Sequence, residues 1–142
     1  MADQPRPEGP NSSLKRKHAA RLAAVQCLYA HALHPENRPE DLLAWQLASP
    51  RDTDLLPLKP DATLLRTLLY GCQARRPALE ARLVTILGSR FSGKRMGPLM
   101  RAIVLAATYE LHDTPSLNAA VIVDQYIGVA DAFYANTEVR FI

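Results

Sequence analysis

The run Gly88-Ser89-Arg90-Phe91-Ser92-Gly93-Lys94 carries the glycine spacing and the lysine of a phosphate-binding loop. In that chemistry backbone amides cradle the phosphates, the lysine reaches the terminal ones, and the next residue supplies a hydroxyl to magnesium. Arg95 stands where the hydroxyl belongs, and no alternating strand precedes the glycines to present such a loop. A basic connection between helices accounts for these residues better than nucleotide binding does. Cys27, His31 and His34 fall at i, i+4 and i+7, one helical face, and three such side chains can touch a metal. A closed zinc site wants four ligands, and no second cluster supplies the fourth, so no metal is expected. No serine, histidine and acid can be grouped into a nucleophilic site, and the carboxylates are scattered rather than paired. The residue types give no catalytic site, no cofactor and no enzyme.

What remains is charge. The formal net charge is only +3, but it is unevenly distributed. Between Ser13 and Ala24 stand Lys15, Arg16, Lys17 and Arg21, with His18 and no acid. Between Ala81 and Tyr109 stand Arg82, Arg90, Lys94, Arg95 and Arg101, again with no acid. From Tyr109 to the end, five acids face Arg140 alone, a net of −4. Separated basic segments suit a polyanion better than a small neutral substrate, although a solvated helix face would look similar. Cations at a helix N-terminus oppose the macrodipole unless an anion lies there, where the free backbone amides would meet it as well.

These groups need elements to position them. At 142 residues, 48% hydrophobic and 22% charged, the chain is one domain with a real core, and two cysteines exclude a disulfide framework. Cys27 and Cys72 suit reduced, buried thiols in a cytoplasmic protein. No apolar run is long enough to span a membrane, and the start of the chain has no secretory h-region. Residues 1–12 hold three prolines and read as a flexible tail. Ser13 caps a first helix to about Leu33, and Pro39 opens a second to Ala48 with two acids in its first turn. Asp61 caps a third, Pro77 opens a fourth, and 88–97 is a glycine-punctuated loop. Pro98 begins a fifth helix, Asn118 caps a sixth through Phe133, and Thr137 begins a seventh that is cut off at Ile142. The β-branched run Val121-Ile122-Val123 sits inside a helical period and is read as helix. The class is all-α, with residues 13–142 as the helical domain.

Three stretches then carry a resemblance. Ala20-Arg-Leu-Ala-Ala-Val-Gln-Cys-Leu-Tyr29 resembles the opening helix of the bacterial transcription antitermination factor NusB family. Arg101-Ala-Ile through Tyr109-Glu-Leu111 is similar to that family's Tyr-Glu-Leu helix. The stretch from Val121 to Phe133 is similar to its V-V-I-N-E-Y-V-x-V-A-x-A-F helix. The likeness implies a compact bundle of about seven helices, the last of them truncated here. It implies binding of boxA-type single-stranded RNA together with NusE, the ribosomal small-subunit protein, within an RNA polymerase antitermination complex, notably on ribosomal RNA operons. Carried over residue by residue, the RNA-binding positions are Lys15, Arg16, Lys17, His18, Arg21, Tyr29, Phe133, Arg140 and Phe141. Cations on phosphates and aromatics under splayed bases are what single-stranded RNA requires.

The likeness also has departures. The family's Asn-Glu pair is Asp124-Gln125 here, which alters a contact inside the bundle, and its second arginine in the Tyr-Glu-Leu helix is Leu105, which removes a surface charge. Asn118 replaces the proline that opens the sixth helix. The family continues past Ile142 with a closing helix, so the resemblance implies an open groove between the first and sixth helices and a homodimer formed through it. A second reading of the same fold is a detached RNA-binding domain of an Fmu-type RNA cytosine-5 methyltransferase.

Overall fold

The structure, a computed structural model, describes residues 10–48, 59–92, 96–113 and 118–141, with side chains described within 13–48, 59–91, 96–113 and 118–135. The described residues form six α-helices and no strand: α1 Pro10–Leu33, α2 Pro39–Ala48, α3 Ala62–Leu87, the single turn α4 Ser89–Ser92, α5 Pro98–Asp113 and α6 Ala119–Phe141. The all-α class stands, with six helices in place of seven.

The central helix is α1. From Ala19 through Val25 every residue is buried, on all sides of the helix, as expected of a helix that neighbours surround rather than one lying on a surface. It packs against α2, α3, α5 and α6. Four of those seven residues are alanines (Ala19, Ala20, Ala23 and Ala24), whose small side chains let the surrounding helices approach. The main core joins Ala20, Ala23 and Ala24 to Leu22, Val25 and Leu28 of α1, Leu65, Leu68 and Leu69 of α3, Ile103 of α5, and Ile122, Val129 and Phe133 of α6. A smaller cluster of Leu79, Leu83, Phe91 and Leu105 closes the far end of α3 against α4 and α5.

The helix boundaries differ from the sequence reading in ways that packing explains. Pro10 lies at the first position of α1, where a missing amide is harmless, so 10–12 belong to the helix and only 1–9 of the expected tail lie outside the described residues. Asp61 does cap α3, its Oδ1 accepting from the Leu64 amide at 3.0 Å. The expected break at Pro77 does not occur: α3 runs on to Leu87 with Pro77 inside it. An interior proline costs about 3 kcal/mol, but the turns beyond it bury Leu79 and Leu83, each contributing roughly 1.5–3 kcal/mol. Gly88 ends the helix at φ 59°, its amide donating to the Val84 carbonyl at 2.8 Å, a backbone conformation that favours glycine.

The expected loop at 88–97 contains α4, and its residues 93–95, with Lys94 and Arg95, lie outside the described residues. Asn118 caps α6 as expected, Oδ1 accepting from the Ala120 amide at 2.7 Å. The seventh helix expected from Thr137 is the continuation of α6 to Phe141. Leu105 is not a lost surface charge. It is buried among Leu79, Leu83 and Phe91, because α5 at this point faces α3 and α4 rather than water. No helix among the described residues is long and apolar enough to cross a membrane.

Candidate nucleic-acid interface

Burial deepens along α1, and this sorts the candidate cations. Lys15 is exposed, Arg16, Lys17 and His18 are half-buried, and from Ala19 the helix is enclosed. The start of α1 is therefore where a ligand can reach these groups. The segment leading into α3 is tied to it: the Asp61 amide donates to the Arg16 carbonyl at 3.0 Å, and Arg16 Nε donates to the Lys59 carbonyl at 3.4 Å. That brings Lys59, itself exposed, beside the basic end of α1. The sequence reading missed Lys59, since it lies in a proline-rich connection far along the chain and only the fold places it here.

His18 faces α6, with Nδ1 3.1 Å from Gln125 Oε1, at which the ring donates. A side chain at Gly128 would come within 3.3 Å of the His18 ring, so glycine there lets the ring lie against α6. Gln125, of the pair that replaces the family's Asn-Glu, is thus the residue that meets α1, while Asp124 is exposed. The expectation of an altered contact inside the bundle falls on Gln125 and His18.

Arg21 does not belong with the exposed cations. It is 2% exposed, and its guanidinium meets Glu110 through two parallel hydrogen bonds, Nε to Oε1 at 2.9 Å and Nη2 to Oε2 at 2.6 Å. The Tyr126 hydroxyl donates to Oε1 at 2.8 Å. Burial works against the Arg21 charge, but the hydrogen bonds and charge of Glu110 outweigh it and hold the guanidinium above its ordinary range. The Tyr126 hydroxyl is pushed well up by burial and by the neighbouring Glu110 carboxylate. The three residues come from α1, α5 and α6 and bind those helices together. Arg21 lies within the enclosed run Ala19 to Val25, where a charge must find a buried partner.

The aromatic candidates are also less open than expected. Phe133 packs in the main core on the stripe formed with Ile122, Tyr126 and Val129, and Tyr29 is half-buried against the same core. The side chains of Arg140 and Phe141 lie outside the described residues. The exposed aromatic of α6 is Tyr134, next in the chain to Phe133 and 37% exposed, which the sequence reading did not single out. Cys27, His31 and His34 are drawn apart by other contacts. Cys27 is buried, His31 Nδ1 donates to the Asn37 carbonyl at 2.8 Å, and His34 meets Glu36 at 3.4 Å.

Comparison with known proteins adds the family. The pattern of the NusB family matches residues 18–142. The chain is 30% identical to the transcription antitermination protein NusB of Rhizobium rhizogenes, over 95% of this chain and 86% of the relative. It is 31% identical to the protein of that name from Bartonella tribocorum, over 100% and 92%, and 30% identical to that of Sphingopyxis alaskensis, over 92% and 89%. A family match over residues 18–142, together with relatives aligned over 86% and 92% of their own length, means that the chain belongs to the NusB family.

Proposed function

We propose that the chain is a transcription antitermination factor that binds boxA-type single-stranded RNA together with the ribosomal small-subunit protein NusE, as part of an RNA polymerase antitermination complex acting notably on ribosomal RNA operons. The observation that carries this reading is the accessible cationic end of α1, where Lys15, Arg16 and Lys17 precede the enclosed part of the helix and Lys59 is brought alongside. Cations gathered at one end of a bundle can track a phosphate backbone, and single-stranded RNA offers phosphates that follow the protein surface. The relatives supply the biological setting, since each carries the name of a transcription antitermination protein.

Those relatives are matched over 86–92% of their own length, so they are chains of this size. That favours the antitermination reading over a detached domain of an RNA cytosine-5 methyltransferase. The test is binding of a boxA-like single strand, and of a scrambled strand, with and without the ribosomal protein. Preference for boxA, tightened by the partner, is the expected result. Equal affinity for both strands and no effect of the partner would overturn the reading.

A further inference from the structure

Away from the basic end of α1, a pocket of about 300 Å³ opens between α4, the start of α5 and the outer side of α6. Among the described residues it is lined by Arg90, Met96, Gly97, Met100 and Tyr134. That volume lies at the small end of ligand sites and suits a single planar group rather than a helix or strand of a partner.

Its lining has a distinct chemistry. Tyr134 presents a partly exposed ring, whereas the ring of Phe133, about 100° around the helix, is turned into the core. Arg90 is exposed, and among the described residues it makes no ion pair and no acid lines the pocket. Arg101, by contrast, is engaged. Its guanidinium lies over the Phe91 ring at 4.5 Å, Nε donates to the Met96 carbonyl at 3.1 Å, and Nη2 donates to the Phe91 carbonyl. These contacts hold Phe91 and Met96 against α5 and leave Arg90 to face a ligand. Met96 and Met100 add polarizable thioethers, which make favourable contacts with aromatic rings.

We propose that this pocket takes one nucleotide of a single-stranded RNA, its base stacked on Tyr134 and its phosphate held by Arg90. An aromatic face beside an arginine is how single strands are bound without a fixed hydrogen-bond pattern. The stretch that supplies Arg90, Met96, Gly97 and Met100 also favours a polyanion, because from Ala81 to Tyr109 the chain has five cations and no acid. The inference rests on the RNA reading above and adds to it a second point of contact, on α4 to α6.

The experiment titrates the full chain with a boxA-type single strand and, separately, with adenosine and uridine monophosphate and inorganic phosphate, following the backbone amide resonances of Met96, Gly97, Leu99, Met100 and Tyr134. Tyr134→Ala should weaken RNA binding roughly five- to a hundredfold, while Tyr134→Phe keeps it. Arg90→Ala should lower the salt slope by about 0.7. The nucleotides should shift the pocket resonances more than phosphate alone, and they should do so equally in a Lys15→Ala/Lys17→Ala variant. Urea midpoints should stay unchanged for the Tyr134 and Arg90 variants, since both side chains are exposed. If RNA binds and Tyr134→Ala binds it equally well, the pocket is no RNA site while the RNA reading stands; loss of the ribosomal protein alone in that variant would make it a protein contact. If the unaltered chain binds no single strand, the RNA reading falls and the pocket proposal with it.

Discussion

A guanidinium taken out of water keeps its charge only if donors and acceptors are matched, and at Arg21 the match comes from Glu110 and Tyr126. Removing one partner leaves the other charge buried and unpaired, which costs roughly 3–5 kcal/mol against a domain stability of about 5–15 kcal/mol. Arg21→Met should therefore lower the urea midpoint sharply, and adding Glu110→Leu should restore much of the loss. A small stability change in Arg21→Met with a large drop in RNA affinity would return Arg21 to the RNA contacts. The cysteines make a second prediction. Burial pushes the thiols of Cys27 and Cys72 up to about 12, from an ordinary value of 9.0. Below pH 9 both states hold these protons and stability is indifferent to them. Between pH 9 and 12 the unfolded chain releases them first, so stability falls as pH rises, by about 1.4 kcal/mol per pH unit for each thiol. Denaturation across that range should show a shallower fall in a Cys27→Ala/Cys72→Ala variant, with Tyr126 leaving a residual slope.

Among the elements, α3 is where local preference and packing disagree most. Pro77 removes one amide from the helix ladder, yet the helix continues because its second half covers Phe91 and Leu105 with Leu79 and Leu83. An ion pair from Arg76 Nε to Glu80 Oε1 at 2.9 Å spans the proline on the surface. Pro77→Ala restores the missing donor and gives up only the stiffness that proline lends the unfolded chain. We expect it to raise stability by about 1 kcal/mol or more, seen as a higher thermal midpoint with unchanged helix content. A lower midpoint would mean that the proline bend itself is needed to seat Leu79 and Leu83. The two-helix reading of this region was reasonable from the residues, since proline does open α2 and α5. It failed because no local rule weighs a proline against leucines whose partners lie on other elements.

At the scale of the molecule, the modest net charge of +3 matters less than its placement. The cations at the start of α1 stand at the edge of a bundle whose interior charge is neutralised by pairing, as Arg21 with Glu110 illustrates. If Lys15 and Lys17 each hold a phosphate, the double alanine variant should lower the log–log salt slope of RNA binding by about 1.4, at 0.7 per contact. Its thermal midpoint should barely move, since Lys15 is exposed and Lys17 is only half-buried. An unchanged slope would reduce these lysines to a solvated helix end.

The helical class, the caps at Asp61 and Asn118, and the words from Ala20 to Tyr29, Arg101 to Leu111 and Val121 to Phe133 that resemble the NusB family could be read along the chain. All of these are properties of neighbours in the chain, where periodicity and capping operate. Which charges meet water was settled by packing between distant helices. Arg21 and Lys17 stand four residues apart and look alike in sequence, but α5 and α6 close over one and not the other. Lys59 reached the basic end of α1 through contacts with Arg16, and Tyr134 rather than Phe133 came to face solvent. Exposure is a property of what packs on a residue from far along the chain, and no pattern along α1 or α6 alone could assign it.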